Sequence, residues 1–169
     1  MRDEDFERLY AAEATGLFSF LAYRTGDRMV AQDLTADAFE RALRARARFD
    51  RRRGSEKTWL YAIAVNLLRD RARSAAAEAR AMERLGPARE SALDAGLAAV
   101  DDRDELRQAI AALSPEERES VALRFGAQLT APEIAAVLKE NLTTIEGRIY
   151  RALRKMRTAL EAPDATQQS

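Results

Sequence analysis

The sequence predicts an all-α protein made of two small helical domains joined by a linker, the second carrying a helix-turn-helix. Three observations predict it. Apolar residues recur at helical spacing in almost every periodic stretch, and no alternating strand pattern of useful length occurs. Between 74 and 100 the large apolar residues thin out around Gly86-Pro87 and Gly96, which marks a domain boundary. Beyond it, Leu129 to Arg157 reads as two short helices, the second of them basic, a geometry that fits a DNA major groove.

The elements follow in order. Phe6, Leu9, Tyr10, Leu17, Phe18 and Leu21 share one face of a first helix, which Gly26 and Asp27 break. A second helix carries Leu34, Ala38, Phe39 and Leu43. Its acids come early (Asp33, Asp37, Glu40) and its arginines late (Arg41, Arg44, Arg46, Arg48), the order a helix dipole favours. Phe49 to Gly54 is a loop. Ser55 can cap a third helix running to about Arg73, with Trp59, Leu60, Ile63, Leu67 and Leu68 as its apolar side. The first domain is placed at 1–75 and the linker at 76–101.

The second domain is placed at 102–162 and begins with Leu106, Ile110 and Leu113. Ser114 and Glu117 form a capping-box signal with Pro115 at the first helical position, then Val121, Leu123 and Phe125 lead to a stop at Gly126. Thr130 with Glu133, and Thr143 with Glu146, repeat that signal at the two helix starts of the helix-turn-helix. Ile134, Ala135, Val137 and Leu138 line the first helix. Ile145, Ile149, Leu153, Met156 and Leu160 stripe the second, opposite Arg148, Arg151, Arg154, Lys155 and Arg157. Residues 163–169 are expected to be a disordered tail.

Composition narrows the function. The 169 residues contain 28 basic and 28 acidic side chains, so net charge is zero, yet its distribution is uneven. Residues 51–75 hold seven basic groups against two acidic, and 143–157 five against one. Such islands, rather than the total, set an electrostatic footprint, although either alone could be a solvated helix face. There is no Cys and no His, which leaves no disulfide, no thiolate zinc site and neither the commonest general base nor the commonest metal ligand. No catalytic residue, metal site or cofactor is expected. No apolar run approaches a membrane span, and the acidic start MRDEDFERLY lacks a signal peptide's layout, so a cytoplasmic protein is expected.

Four blocks, in one order, carry a resemblance: AQDLTADAFERAL at 31–43, KTWLYAIAVNLLRDRAR at 57–73, LSPEERESVALRF at 113–125, and the helix-turn-helix. Together they resemble the small, two-domain extracytoplasmic-function class of bacterial RNA polymerase sigma factors, over nearly the whole chain. WL-x-x-IA-x-N followed by basic residues is the more specific part. The resemblance implies a subunit that binds core RNA polymerase and promoter DNA. It also implies a class of regulatory partner, the anti-sigma factor, without identifying one.

The resemblance assigns roles residue by residue. Asp33, Leu34, Asp37, Phe39 and Glu40 fall in the polymerase-docking block, where carboxylates beside an apolar patch suit a basic partner helix. An amphipathic helix with dipole-matched acids would read the same way. Lys57, Trp59, Asn66, Arg69, Arg71 and Arg73 fall in the block that melts and reads the −10 element; single-strand capture needs positive charge with aromatic or polar groups for bases. Trp59 also fits the core, and Asn66 could bridge helices. Thr143, Thr144, Gly147, Arg148 and Arg151 fall at the start of the −35-reading helix.

Three departures from the family pattern stand out. The turn, usually marked by Gly, reads Leu138-Lys139-Glu140-Asn141-Leu142, with Asn141 the residue suited to a left-handed conformation. Glu140 replaces an apolar residue, and Leu142 could swing in for it. Glu146 stands where members carry Lys or Arg, and a capping box with Thr143 would explain it. Those departures keep an alternative open: a sigma-like helix-turn-helix regulator or interaction protein that does not itself direct initiation.

Overall fold

The computed structural model describes residues 1–83 and 104–161. Most of the expected linker and all of the expected tail lie outside the described residues. Every ordered element within them is helical.

Helix α1 spans Asp3–Thr25. Asp5 accepts from the Arg2 backbone N–H at 3.2 Å and closes its first turn. The helix ends where Gly26 takes φ 66° and returns its N–H to the Ala22 carbonyl at 2.9 Å. Gly reaches that left-handed geometry without steric cost. Asp27 then caps α2 (Arg28–Ala45) by accepting from the N–H groups of Met29 and Val30. Two short 3-10 turns, Arg46–Arg48 and Arg51–Arg53, form the expected loop. Ser55 Oγ accepts from the Thr58 N–H at 3.0 Å and opens α3 (Glu56–Glu83).

Helix α3 is longer than the apolar pattern predicts. It continues through Ser74-Ala75-Ala76-Ala77 into residues assigned to the linker. Alanine is the strongest helix former, so a stretch without large apolar side chains need not be irregular. Every residue from Arg69 to Glu83 is exposed; this half of α3 has no buried face.

In the second domain, α4 (Asp104–Ala111) leads to α5 (Pro115–Val121). The Ser114–Glu117 capping box forms in both directions, at 2.9 and 3.2 Å. A single π turn, Ala122–Gly126, follows, and it leaves Phe125 54% exposed rather than in the core. Helix α6 (Ala131–Leu138) starts at the Thr130–Glu133 box, and α7 spans Leu142–Glu161. The buried line on α7 runs through Ile145, Ile149, Ala152 and Met156; Leu153 and Leu160 of the expected stripe are 44% and 46% exposed.

The two domains share a core. One apolar cluster joins Leu17, Phe20 and Leu21 of α1, Ala38 and Phe39 of α2, and Leu60, Tyr61 and Val65 of α3 to Leu123, Leu129, Ile134, Val137 and Ile145 of the second domain. Helix α6 packs on α3, and the π turn packs on α1. A smaller cluster of Leu113, Val121, Ala152 and Met156 ties α7 to the second domain's own helices.

Candidate nucleic-acid interface

On α2, Asp33, Asp37 and Glu40 are exposed, as a docking face requires. Glu40 also pairs with Arg44 one turn on. Leu34 and Phe39 are each only 6% exposed and belong to the core. The Phe39 ring packs at 6.3 Å from Phe6 and 4.7 Å from Tyr10, so it anchors α2 instead of lining a surface patch. A helix that must bury one stripe turns Leu34, Ala38 and Phe39 inward together. The exposed large apolar groups of these two helices are Tyr10, Met29 and Leu43.

Helix α3 presents its candidates unevenly. Asn66, Arg71 and Arg73 are exposed, and Arg73 pairs with Asp70. Lys57 lies 3.7 Å from Glu13 and over the Tyr61 ring. Trp59 is half-buried, its ring 5.2 Å from that of Phe49, which places it at the edge of the core. Arg69 reaches across to the second domain, where its Nη2 lies 3.4 Å from Glu119 Oε2.

Beside the start of α3 a cleft of about 570 Å³ opens between α1 and the loop after α2, with Arg8, Glu13, Phe49, Arg51 and Lys57 in its wall. Arg8, on α1, is a cation of this wall that the sequence reading does not single out. It lies more than forty residues before Phe49, Arg51 and Lys57 in the chain, and no local pattern links it to them.

The helix-turn-helix closes differently from the sequence reading. Lys139, not Asn141, is left-handed, with φ 58° and ψ 44°, and its N–H donates to the Ala135 carbonyl. Helix α6 ends at Leu138, so the reversal falls on the very next residue. Asn141 instead precedes α7, and its carbonyl accepts from the Ile145 N–H at 3.2 Å. Thr143 therefore lies inside the first turn of α7. It cannot cap that helix, and the capping role for Glu146 falls with it. Leu142 is 41% exposed and does not fill the place of Glu140.

Glu140 has another partner. Its two oxygens accept from Arg148 Nη1 at 3.0 Å and Nη2 at 2.6 Å. The Arg148 side chain is 12% exposed, and the Glu140 hydrogen bonds raise its pKa above the usual guanidinium value. Thr143, Thr144 and Arg151 are exposed. Gly147 is half-buried, and a Cβ there would meet Arg151 Nη1 at 3.3 Å, so this glycine makes room for a guanidinium on its own helix. Arg154, Lys155 and Arg157 extend the exposed basic face. Lys155 also reaches Glu117 at 2.8 Å and, with the Ser114 cap, holds that carboxyl below its ordinary pKa.

Among the described residues no acidic cluster could hold a metal ion, and no helix is long and apolar enough to cross a membrane. The arrangement is suited to binding: basic and amide groups on α3 and basic groups on α7 face solvent, and acids line α2.

The family model described as Sigma-70 region 2 matches residues 9–78, and that described as Sigma-70, region 4 matches 103–156. The ECF RNA polymerase sigma factor BldN of Streptomyces coelicolor is 32% identical over 155 residues, which cover 89% of this chain and 58% of BldN. The chain thus spans little more than half the length of that relative. The ECF RNA polymerase sigma factor SigK of Mycobacterium ulcerans is 26% identical over 162 residues, covering 93% of this chain and 86% of SigK. Among solved structures, the sigma factor RpoE of Bartonella quintana, bound there to the anti-sigma factor NepR, superposes with a TM-score of 0.75. It is 21% identical, over 95% of this chain and 99% of RpoE, a likeness of fold.

Proposed function

The chain belongs to the extracytoplasmic-function class of the sigma-70 family of bacterial RNA polymerase sigma factors, and on that premise we propose that it binds core RNA polymerase and directs promoter recognition in the cytoplasm, supplying no bond chemistry of its own. In this reading the exposed carboxylates Asp33, Asp37 and Glu40 dock on the polymerase. Lys57, Asn66, Arg69, Arg71 and Arg73 take the −10 element. The cleft walled by Arg8, Phe49, Arg51 and Lys57 is wide enough for a flipped base, with cations at hand for its phosphate. Thr143, Thr144 and Arg151 face −35 DNA. An anti-sigma factor enters as a partner class through the family, without residues that single one out.

One observation carries the reading. The region 2 and region 4 matches stand in one chain, in order, and each displays exposed DNA-suited groups: Asn66, Arg71 and Arg73 on the first, Thr143, Thr144 and Arg151 on the second. A regulator that reads duplex DNA without polymerase leaves the first of these unexplained.

The test is run-off transcription with core polymerase on a genomic promoter library. Transcripts above core alone are expected, and Asp33→Lys with Asp37→Lys should abolish both these and co-elution with core. No promoter-dependent transcript from any fragment would overturn the reading.

A further inference from the structure

Helix α7 carries an apolar stripe that stays open to solvent. Leu142, Tyr150, Leu153 and Leu160 are 41 to 63% exposed. With Glu146 and Arg157 they fall within an arc of about 80° at ~100° per residue, beside the line of Ile145, Ile149, Ala152 and Met156 that faces the core. A single exposed apolar side chain is ordinary, but a stripe of them along about five turns marks a contact surface.

The charges on this stripe indicate what covers it. Glu146 makes no ion pair among the described residues. Arg157 bonds Glu161 one turn on, but both side chains are largely exposed, so that pair contributes little and can be exchanged. Laid antiparallel against itself, the order Leu142, Glu146, Tyr150, Leu153, Arg157, Leu160 sets Leu142 opposite Leu160, Glu146 opposite Arg157 and Tyr150 opposite Leu153. Each pairing occurs twice. A two-fold dimer requires this self-complementarity, in which one residue meets a second and the second meets the first. A parallel copy would set Glu146 against Glu146 and Arg157 against Arg157, and a foreign partner imposes no such symmetry.

We propose that a second copy of this chain docks on the exposed stripe of α7, helix antiparallel to helix, with Glu146 of each copy paired to Arg157 of the other. One helix pair buries an area at the low end of specific interfaces, below about 1,200 Å², so the dimer is a weak one that forms at micromolar concentration. Thr143 and Arg154 border the stripe on its solvent side, and a partner helix about 8 to 10 Å away would stand against the flank of the proposed −35 face. Dimer and −35 DNA therefore compete for α7. That consequence rests on the sigma-factor reading, whereas the dimer itself is measured without polymerase or DNA.

Sedimentation equilibrium of the full chain, from about 1 to 200 µM and without DNA, tests it. A reversible monomer–dimer equilibrium is expected. E146R should weaken it by about tenfold, since it sets two cations opposite each other, and R157E should do the same with two acids. E146R with R157E in one chain exchanges the charges and should restore the dimer to within about threefold of wild type. The two positions are eleven residues apart on one helix and cannot pair within a chain, so rescue reports the antiparallel contact between copies. L153E should be monomeric throughout with the helical circular dichroism of wild type; if it fails to fold, the charge reversals decide alone. A wild-type chain that stays monomeric across the range would overturn the proposal, and so would a dimer that the single reversals leave unchanged or that the double reversal does not restore.

Discussion

Glu140 grips both terminal nitrogens of Arg148 across the helix-turn-helix, at 3.0 and 2.6 Å, and so fastens the turn to the recognition helix. A family position usually apolar has become one half of a bidentate ion pair. The arginine expected to read bases is thereby held against the turn. Glu140→Gln should lower stability by about 1 kcal/mol, since it weakens a largely shielded, charge-assisted pair. Arg148→Ala should cost about as much, and the double variant less than the two effects combined. Urea denaturation of the four proteins checks this; strict additivity would show that the pair is not coupled.

Lys139 occupies a left-handed conformation that glycine adopts far more easily. Lys139→Gly should stabilise the protein by about 0.5 to 1 kcal/mol, and Lys139→Val should destabilise it. Thermal melts of both variants provide the comparison. A loss of stability with glycine would contradict the geometry of the turn.

Glu146 is exposed and free of a capping duty, so its replacement carries little structural cost. Glu146→Lys should tighten binding of the polymerase complex to −35 DNA. The slope of log affinity against log salt should steepen by about one unit for an added phosphate contact. Titrations at several salt concentrations test it; unchanged or weaker binding would place Glu146 away from the phosphates.

Acid should destabilise the fold through identifiable carboxyls. Hydrogen bonds from Arg2, its backbone N–H foremost, lower the pKa of Asp5 to about 2. The Lys155 contact lowers Glu117, and the Thr130 backbone N–H lowers Glu133. Each folded-state pKa lies below its unfolded value, so the unfolded chain binds more protons in acid. The contribution is full above about pH 5 and fades as pH falls from the ordinary carboxylate range towards about 2. Asp5→Asn should therefore flatten the acid limb of a stability–pH curve, and its deficit against wild type should shrink towards pH 2.

Much of this fold was legible in local chemistry. Gly26 with Asp27, Ser114 with Glu117, and Thr130 with Glu133 announced their helix boundaries because a cap is a contact within four residues. Thr143 with Glu146 has the same spacing and misled, because the helix begins at Leu142, two residues before a cap at Thr143 would start it. The alanine run after Arg73 read as linker because burial, not helicity, is what apolar spacing reports. The groups facing across the chain were out of reach: Glu119 beside Arg69, Arg8 beside the cleft, and the core shared by both domains. Charge patterning located the basic faces of α3 and α7, but which of their arginines stay free depends on acids fifty residues away in one case and eight in the other.

The apolar cluster that runs through both domains has a consequence for the life of the chain in a cell. Were α3 and α6 to separate, each would uncover part of that cluster to water. Uncovered apolar surface is what proteases and chaperones act on, and its exposure favours association. A chain whose two halves have come apart is therefore the perishable form. Turnover would fall hardest on molecules in which that shared cluster is uncovered.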